Sequence, residues 1–261
     1  MSILDTIIQR KYEEVAERRL AVPLKQLRQQ PGYQNARLSL REFLLDPART
    51  GIIAEFKRRS PSKGIINAAA DVATVTAAYA QNGASAISVL TDTDFFGGST
   101  TDLQAARYNK VPLLRKDFIV DGYQIEEARA MGADVILLIA ACLTPAAVAE
   151  LAAYAKQLGL EVLLELHAEE ELEHICADTP IVGINNRNLK TFSVDLERSM
   201  QMAAQLPAEV LKIAESGINS PADVELFRNN GFHGFLIGER FMREVDPGAA
   251  FAAFVQQIKP A

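Results

Sequence analysis

Five charged residues stand where short apolar runs end. They are Glu55 and Lys57 in Ile52-Ile-Ala-Glu-Phe-Lys57, Lys116 in Arg115-Lys-Asp117, Glu165 in Glu165-Leu-His167 and Glu215 in Glu215-Ser-Gly217. Charges are rare in such runs unless paired or functional, because an isolated buried charge is expensive. A structural ion-pair network would account for any one of them, but less well for five at equivalent places. Gathered together, carboxylates and ammoniums compensate one another and shift each other's pKa, so that one group can serve as acid and another as base. Asn185 and Arg187 end a further run, Asn185-Asn-Arg187. A guanidinium pairs bidentately with a carboxylate, and an amide can orient a hydroxyl or a neighbouring carboxylate. His167, His174 and His233 are not spaced as a metal triad. Neither a metal site nor a catalytic histidine is expected.

The elements that must position these groups follow from periodicity. Short apolar runs occur at Ile52–Phe56, Ala86–Leu90, Val111–Leu114, Val135–Ile139, Glu161–Leu166, Ile181–Ile184, Leu211–Ala214 and Gly234–Ile237. Helical patterns separate them: Ala70–Gln81, Thr100–Tyr108, Tyr123–Met131, Pro145–Leu158, Ala168–Ala177, Asp195–Gln205, Pro221–Asn230 and Pro247–Ile258. Eight strands alternating with eight helices predict parallel strands with helical crossovers, and the length favours a closed (β/α)₈ barrel over an open sheet. In that architecture the C-terminal strand ends form the active face, and the loops after the seventh and eighth strands often hold a phosphate. Ser216, Gly217 and Gly238 lie on those loops, with Ser60 of Ser60-Pro-Ser62 as a further donor. Gly83, Gly132, Gly159 and Gly231 each follow a helical pattern, where a left-handed cap is wanted.

Ahead of the first strand, an amphipathic helix from about Ser2 to Leu20 and a shorter one over Leu38–Leu45 form an N-terminal extension, residues 1–48 of a single domain spanning 1–261. The expectation is a packing extension, with a role in covering the mouth as the alternative.

Of 261 residues, 49% are hydrophobic and 23% charged, as in water-soluble globular chains. A net charge of -6 argues against nucleic acid as a partner. The longest apolar run, Val135 to Leu143, is too short to span a bilayer, and the N-terminus lacks the pattern of a signal peptide. Cys142 and Cys176 have no metal-type spacing and read as reduced thiols of a cytoplasmic protein. The expected partner is a phosphorylated small molecule, bound by a monomer or weak homo-oligomer.

Over nearly its whole length the sequence resembles indole-3-glycerol phosphate synthases. The resemblance is carried by Ile53-Ala-Glu-Phe-Lys-Arg-Arg-Ser-Pro-Ser-Lys-Gly64, Arg115-Lys-Asp-Phe118, the segments Tyr123–Arg129 and Gly132–Ala140, Gly183-Ile-Asn-Asn-Arg-Asn-Leu189 and Ala214-Glu-Ser-Gly-Ile218. It implies ring closure, decarboxylation and dehydration of 1-(2-carboxyphenylamino)-1-deoxyribulose 5-phosphate, with no cofactor or metal. It further implies Lys116 as the acid that protonates the ribulose carbonyl, and Lys57 as a second polarising group or acid. Glu165 and Glu55 would accept protons and position the lysines. Glu215 and Asn185 would orient the sugar hydroxyls and the anilino nitrogen, Arg187 would take the carboxylate, and Ser60, Ser216, Gly217 and Gly238 the phosphate. The assignment of base to step stays open. Glu239 replaces a small residue common in the family, and its side chain is expected to point away from the phosphate. Asp121-Gly122 stands where Asp-Pro is common, and Arg58-Arg59 is expected to be solvated. As the chain ends at Ala261, no fused isomerase barrel is expected. Two other classes compete: a phosphate-binding barrel aldolase or isomerase, for which a Schiff-base lysine would be diagnostic, and a non-catalytic binding barrel.

Overall fold

Runs rich in Ile, Val and Leu, buried along nearly their full length, leave no solvent face, and such strands pair in parallel under helical cover. The computed structural model describes residues 3–188 and 193–258. Ser2 and Leu189, named above at the edges of a helix and a motif, lie outside the described residues. The barrel strands are β1 (Ile52–Phe56), β2 (Ala86–Leu90), β3 (Leu113–Lys116), β4 (Val135–Ile139), β5 (Glu161–Leu166), β6 (Ile181–Asn185), β7 (Leu211–Glu215) and β8 (Gly234–Ile237). All pair in parallel, and β1 closes the ring by pairing with both β2 and β8. The fold is therefore the expected (β/α)₈ barrel.

Alternation along each strand divides its residues between two cores. Ile53, Leu114, Leu163, Ile213 and Leu236 pack inside the barrel, whereas Ile52, Leu113, Leu164, Ala214 and Phe235 pack under the helices. Two residues beyond the inward layer, the same alternation brings Glu55, Lys116, Glu165 and Glu215 to the cavity at the C-terminal mouth.

Most elements differ from the sequence expectation only by a residue or a few at their ends, and short helices at Leu24–Leu27, Pro31–Gln34 and Glu239–Met242 are additional; two departures have a clear local cause. β3 begins at Leu113 rather than Val111 and runs on to Lys116. Pro112 has no N–H to give to the ladder, and the charges of Arg115 and Lys116 are compensated on opposite faces of the strand. After β5 there is a 3₁₀ helix over Glu169–His174 instead of an α-helix over Ala168–Ala177. The Glu171 carboxylate accepts the backbone N–H groups of His167 and Ala168, and Thr179 Oγ1 bonds the Cys176 backbone ahead of Pro180.

The extension serves both ends of the barrel. Helix Leu40–Leu45 is capped by Ser39 and buries Leu40 and Leu44 against the interior layer of the strands. Helix α1 (Ile3–Ala21) lies at the other end, where Ile3, Leu4 and Ile7 help line the cavity. Its anchor is Lys11, 1% exposed, whose ammonium lies 2.8 Å from Asp92, 3.0 Å from Asp117 and 2.6 Å from Glu14. Asp117 also takes Arg115, which pairs in turn with Glu127. Burial pushes the Lys11 ammonium down, but Asp117 and Asp92 outweigh it and hold it above its ordinary range. Among the described residues, no helix is long and apolar enough to cross a membrane.

Removing one partner of a buried ion cluster leaves the others uncompensated, at a cost of about 3–5 kcal/mol. Lys11→Met should therefore lower Tm by an amount on the order of 10 °C in a thermal melt. An unchanged Tm would mean that Asp92 and Asp117 are neutralised by other groups.

Candidate active site

The sequence-derived groups converge on one cavity of ≈ 320 Å³ at the C-terminal mouth of the barrel. Glu55, Lys57, Lys116, Glu165, Asn185 and Glu215 all line it, and so do Ser60, Arg187, Ser216, Gly217 and Gly238. The ammonium of Lys116 lies 2.7 Å from Glu165 and 3.4 Å from Glu215. Lys57 pairs with Glu55 two residues earlier on the same strand face. Asn185 Nδ2 donates to Glu165 Oε1 at 2.9 Å, while Asn185 Oδ1 accepts the Arg187 N–H at 3.0 Å.

Electrostatics separates these groups. Burial would lower the Lys116 ammonium, but Glu165 and Glu215 more than offset it and hold the group above its usual range. Burial would raise both carboxyls. Lys116 reverses that for Glu165, which sits well below the ordinary carboxylate range. Glu215 is pushed up to about 8, by burial first and then by the neighbouring Glu165 charge. The two carboxylates around one ammonium are thus drawn apart, Glu165 toward the ionised form and Glu215 toward the protonated one.

Two glycines make room for the carboxylates. A Cβ on Gly183 of β6 would overlap the Glu215 carboxylate, and one on Gly238 would overlap that of Glu55. Gly238 thus has a packing reason in addition to the anion-binding reason inferred from the sequence. Ser216 and Gly217 both adopt left-handed backbone, with φ of 67° and 74°. That conformation is costly for a serine. Asn186, fully buried, donates its side-chain amide to the Ser216 carbonyl at 2.6 Å and so fixes the turn. Ser60 is buried in the loop after β1, in a short hairpin formed by Arg59–Ser60 and Gly64–Ile65.

Several groups were missed or misjudged at the sequence level. His167 lines the cavity, 7% exposed, with Nε2 2.8 Å from Glu165 Oε1. The strand alternation that turns Glu165 inward turns His167 inward as well, although its spacing from the other histidines is not that of a metal site. Asn186 carries no such signal, because its role exists only through the loop after β7. Phe96 and Phe118 face the cavity with ring centroids 5.9 Å apart. Phe96 is held by Asp92, whose Oδ1 accepts its N–H at 3.0 Å.

Two expectations are corrected. Glu239 does not turn away: its carboxylate lies 3.6 Å from both Arg187 and Lys63, drawn in by cations on two facing loops. Of Arg58-Arg59, Arg59 is exposed as expected, but Arg58 is half-buried: it pairs with Asp102, donates to the Ala70 carbonyl and lies 4.7 Å from the Phe56 ring centroid.

The tight seat of Glu215 over Gly183 is open to test. Gly183→Ala should displace that carboxylate while the strand is retained, and misplacement of about 1 Å costs on the order of 10²-fold in rate. We expect kcat to fall to that extent at nearly unchanged Tm. Normal kcat would show that the exact position of Glu215 is unimportant.

The geometry agrees with the relationships of the chain. The family model described as indole-3-glycerol phosphate synthase matches residues 4–254. The indole-3-glycerol phosphate synthase of Bacteroides thetaiotaomicron is 46% identical over 258 residues, 98% of this chain and 99% of that protein. That of Polaromonas sp. is also 46% identical, covering 96% of this chain and 97% of the relative. Among solved structures, a 3-hexulose-6-phosphate synthase superposes with a TM-score of 0.61 at 14% identity, over 80% of this chain and 99% of the other. A chain from a tryptophan synthase complex of Pyrococcus furiosus gives 0.60 at 14%, over 80% and 98%. These structural likenesses show the barrel fold, whereas the sequence relationships span almost the whole chain and are far closer. On those relationships, the chain belongs to the indole-3-glycerol phosphate synthase family.

Proposed function

We propose that Lys116 is the general acid of the ring closure by which this chain converts 1-(2-carboxyphenylamino)-1-deoxyribulose 5-phosphate to indole-3-glycerol phosphate. The observation that carries the reading is the Lys116 ammonium, held charged between Glu165 and Glu215 in the cavity that also contains Arg187 and the Ser216-Gly217 turn. As the aromatic carbon attacks the ribulose carbonyl, its oxygen becomes an alkoxide, and a preorganised cation stabilises that developing charge. Transfer of a proton from Lys116 completes the step, and loss of CO₂ restores the aromatic ring. In the dehydration, Lys57 protonates the departing hydroxyl and Glu55 takes the proton from the adjacent carbon. Their direct pairing supports this shared role. Glu165 and Asn185 position Lys116 and the sugar, and Glu215 faces the same reacting centre.

Binding follows from the rest of the cavity. Phe96, Phe118, Leu137 and Ile139 offer an apolar wall for the anilino ring. Arg187 takes the ring carboxylate, for which it exchanges Glu239. Ser60, Ser216, Gly217 and Gly238 hold the phosphate through hydroxyl and backbone donors. Holding both ends folds the substrate toward closure, and orientation of this kind lowers barriers substantially. The same reading takes residues 1–261 as one domain, with 1–48 as its extension. It places the protein in the cytoplasm as a monomer or weak homo-oligomer, in keeping with its free cysteines.

Turnover of the synthetic substrate in buffer with EDTA, followed by indole fluorescence, tests the function and the expected absence of a metal requirement together. Lys116→Ala should nearly abolish turnover and leave product binding largely intact; a near-normal kcat would remove it as the acid. Arg187→Ala should chiefly raise KM, and an unchanged KM would move the carboxylate contact elsewhere. Borohydride in the presence of substrate should trap no adduct, whereas a trapped lysine would favour Schiff-base chemistry.

A further inference from the structure

Glu165 receives more partners than the acid–base reading requires. Lys116 takes Oε2, and Asn185 donates to Oε1. The imidazole of His167 then lies against the same Oε1, with Nε2 at 2.8 Å. His167 is two residues beyond Glu165, so strand alternation turns both toward the cavity. Its ring is 7% exposed, and both ring nitrogens are buried without a well-directed hydrogen bond among the described residues, so Nε2 meets Glu165 Oε1 as a close charge contact. Its backbone N–H is fixed by Glu171 Oε2 at 2.6 Å, which sets where the ring starts. A buried imidazole held in this way against a single carboxylate oxygen is poorly explained as packing, because an apolar residue would fill the wall without leaving a polar nitrogen unpaired.

We propose that His167 is a positioning residue for the ring-closing reaction: it holds Glu165 against Lys116 and makes the two buried carboxylates inequivalent, so that Glu165 stays ionised beside the Lys116 ammonium and Glu215 is the one left to carry a proton. The inference rests on the acid role given to Lys116 and the positioning role given to Glu165 above.

The charges around the ring favour its protonated form. Glu165 faces it from β5, Glu171 from the following 3₁₀ helix and Glu215 from β7. Lys116 on β3 opposes them at one remove, through the Glu165 it shares. Cys142, next in sequence to Leu143, whose carbonyl meets His174 Nε2, is half-buried near Glu165 and Glu171; its burial first, then those charges, push its thiol up to about 12, so it stays neutral. Burial lowers the His167 imidazole, but Glu165 and the other carboxylates outweigh it, and the net shift is upward from 6.5. Asn185 does the same geometric work on Oε1 without a charge. An imidazolium at this place adds a second cation to Glu165 and only a distant one to Glu215, which is the asymmetry required.

The sequence contains three histidines, so nuclear magnetic resonance can follow each imidazole through a pH titration, with His174→Gln and His233→Gln for assignment. His167 should titrate above 6.5 in the intact protein and fall by about one unit or more in Glu165→Gln, the size expected for losing an adjacent opposite charge. A His167 that titrates at or below 6.5, or that does not respond to Glu165→Gln, overturns the proposal. In kinetics, His167→Asn, too short to reach Glu165, should lower kcat about 10–100-fold at a KM within about threefold, and move the acid limb of the kcat profile to higher pH. His167→Gln keeps a donor at the Nε2 position and should recover part of kcat. Unchanged kcat and an unchanged acid limb in His167→Asn would reduce His167 to a wall residue. Should that variant fail to fold, the titration in the wild-type protein and Glu165→Gln decides alone. Failure of the underlying reading would show separately, as normal turnover by Lys116→Ala.

Discussion

The Lys116 ammonium between Glu165 and Glu215 is the constraint on which the site depends. The two adjacent buried carboxylates share that ammonium unequally, and the unequal contact drives their pKa values apart. Lys116 keeps its own proton, Glu165 is held ionised by the nearer contact, and burial together with the Glu165 charge pushes Glu215 up from the ordinary carboxylate range. The chemistry of the mouth is set by that division. It is maintained by β3, β5 and β7 of one barrel, whose spacing no side chain can change by itself.

Around the trio, residues that touch no reacting atom keep the charges in place. Gly183 and Gly238 supply the volume that two carboxylates occupy. Asn186 fixes a turn that a serine would otherwise resist. On the outer face of β3, Arg115 and Asp117 flank Lys116 and are themselves compensated by Glu127 and Lys11. One strand thereby carries buried charge on both faces. The inner set faces the cavity, and the outer set ties the barrel to helix α1.

That tie gives the N-terminal extension two physical functions. Leu40 and Leu44 finish the interior layer where the strands begin, and Lys11 secures α1 over the mouth where they end. Asp92 links the two regions, because one oxygen takes Lys11 and the other takes the N–H groups of Phe95 and Phe96. A movement of α1 would therefore reach the aromatic wall of the cavity directly.

By itself the sequence determined the alternation of eight strands and eight helices, and with it the barrel. It also determined which residues end each strand on the inward face. Those features are local: a period of two in strands, Gly at left-handed caps, and Asp71, Asp121, Thr144 and Ser220 bonding the first turns of their helices. The candidate residues Glu55, Lys57, Lys116, Glu165, Asn185, Arg187 and Glu215 could be named for that reason, and one cavity gathers them. Local pattern overreached where a side chain competed for the backbone, as Glu171 does after β5. Only the tertiary structure decided which carboxylate faces which cation, that His167 abuts Glu165, that Lys11 is buried 81 residues away in sequence from Asp92, and that Glu239 turns toward Arg187. Charge pairing depends on distance in space, and closing the barrel brings together residues whose separation along the chain carries no trace of it.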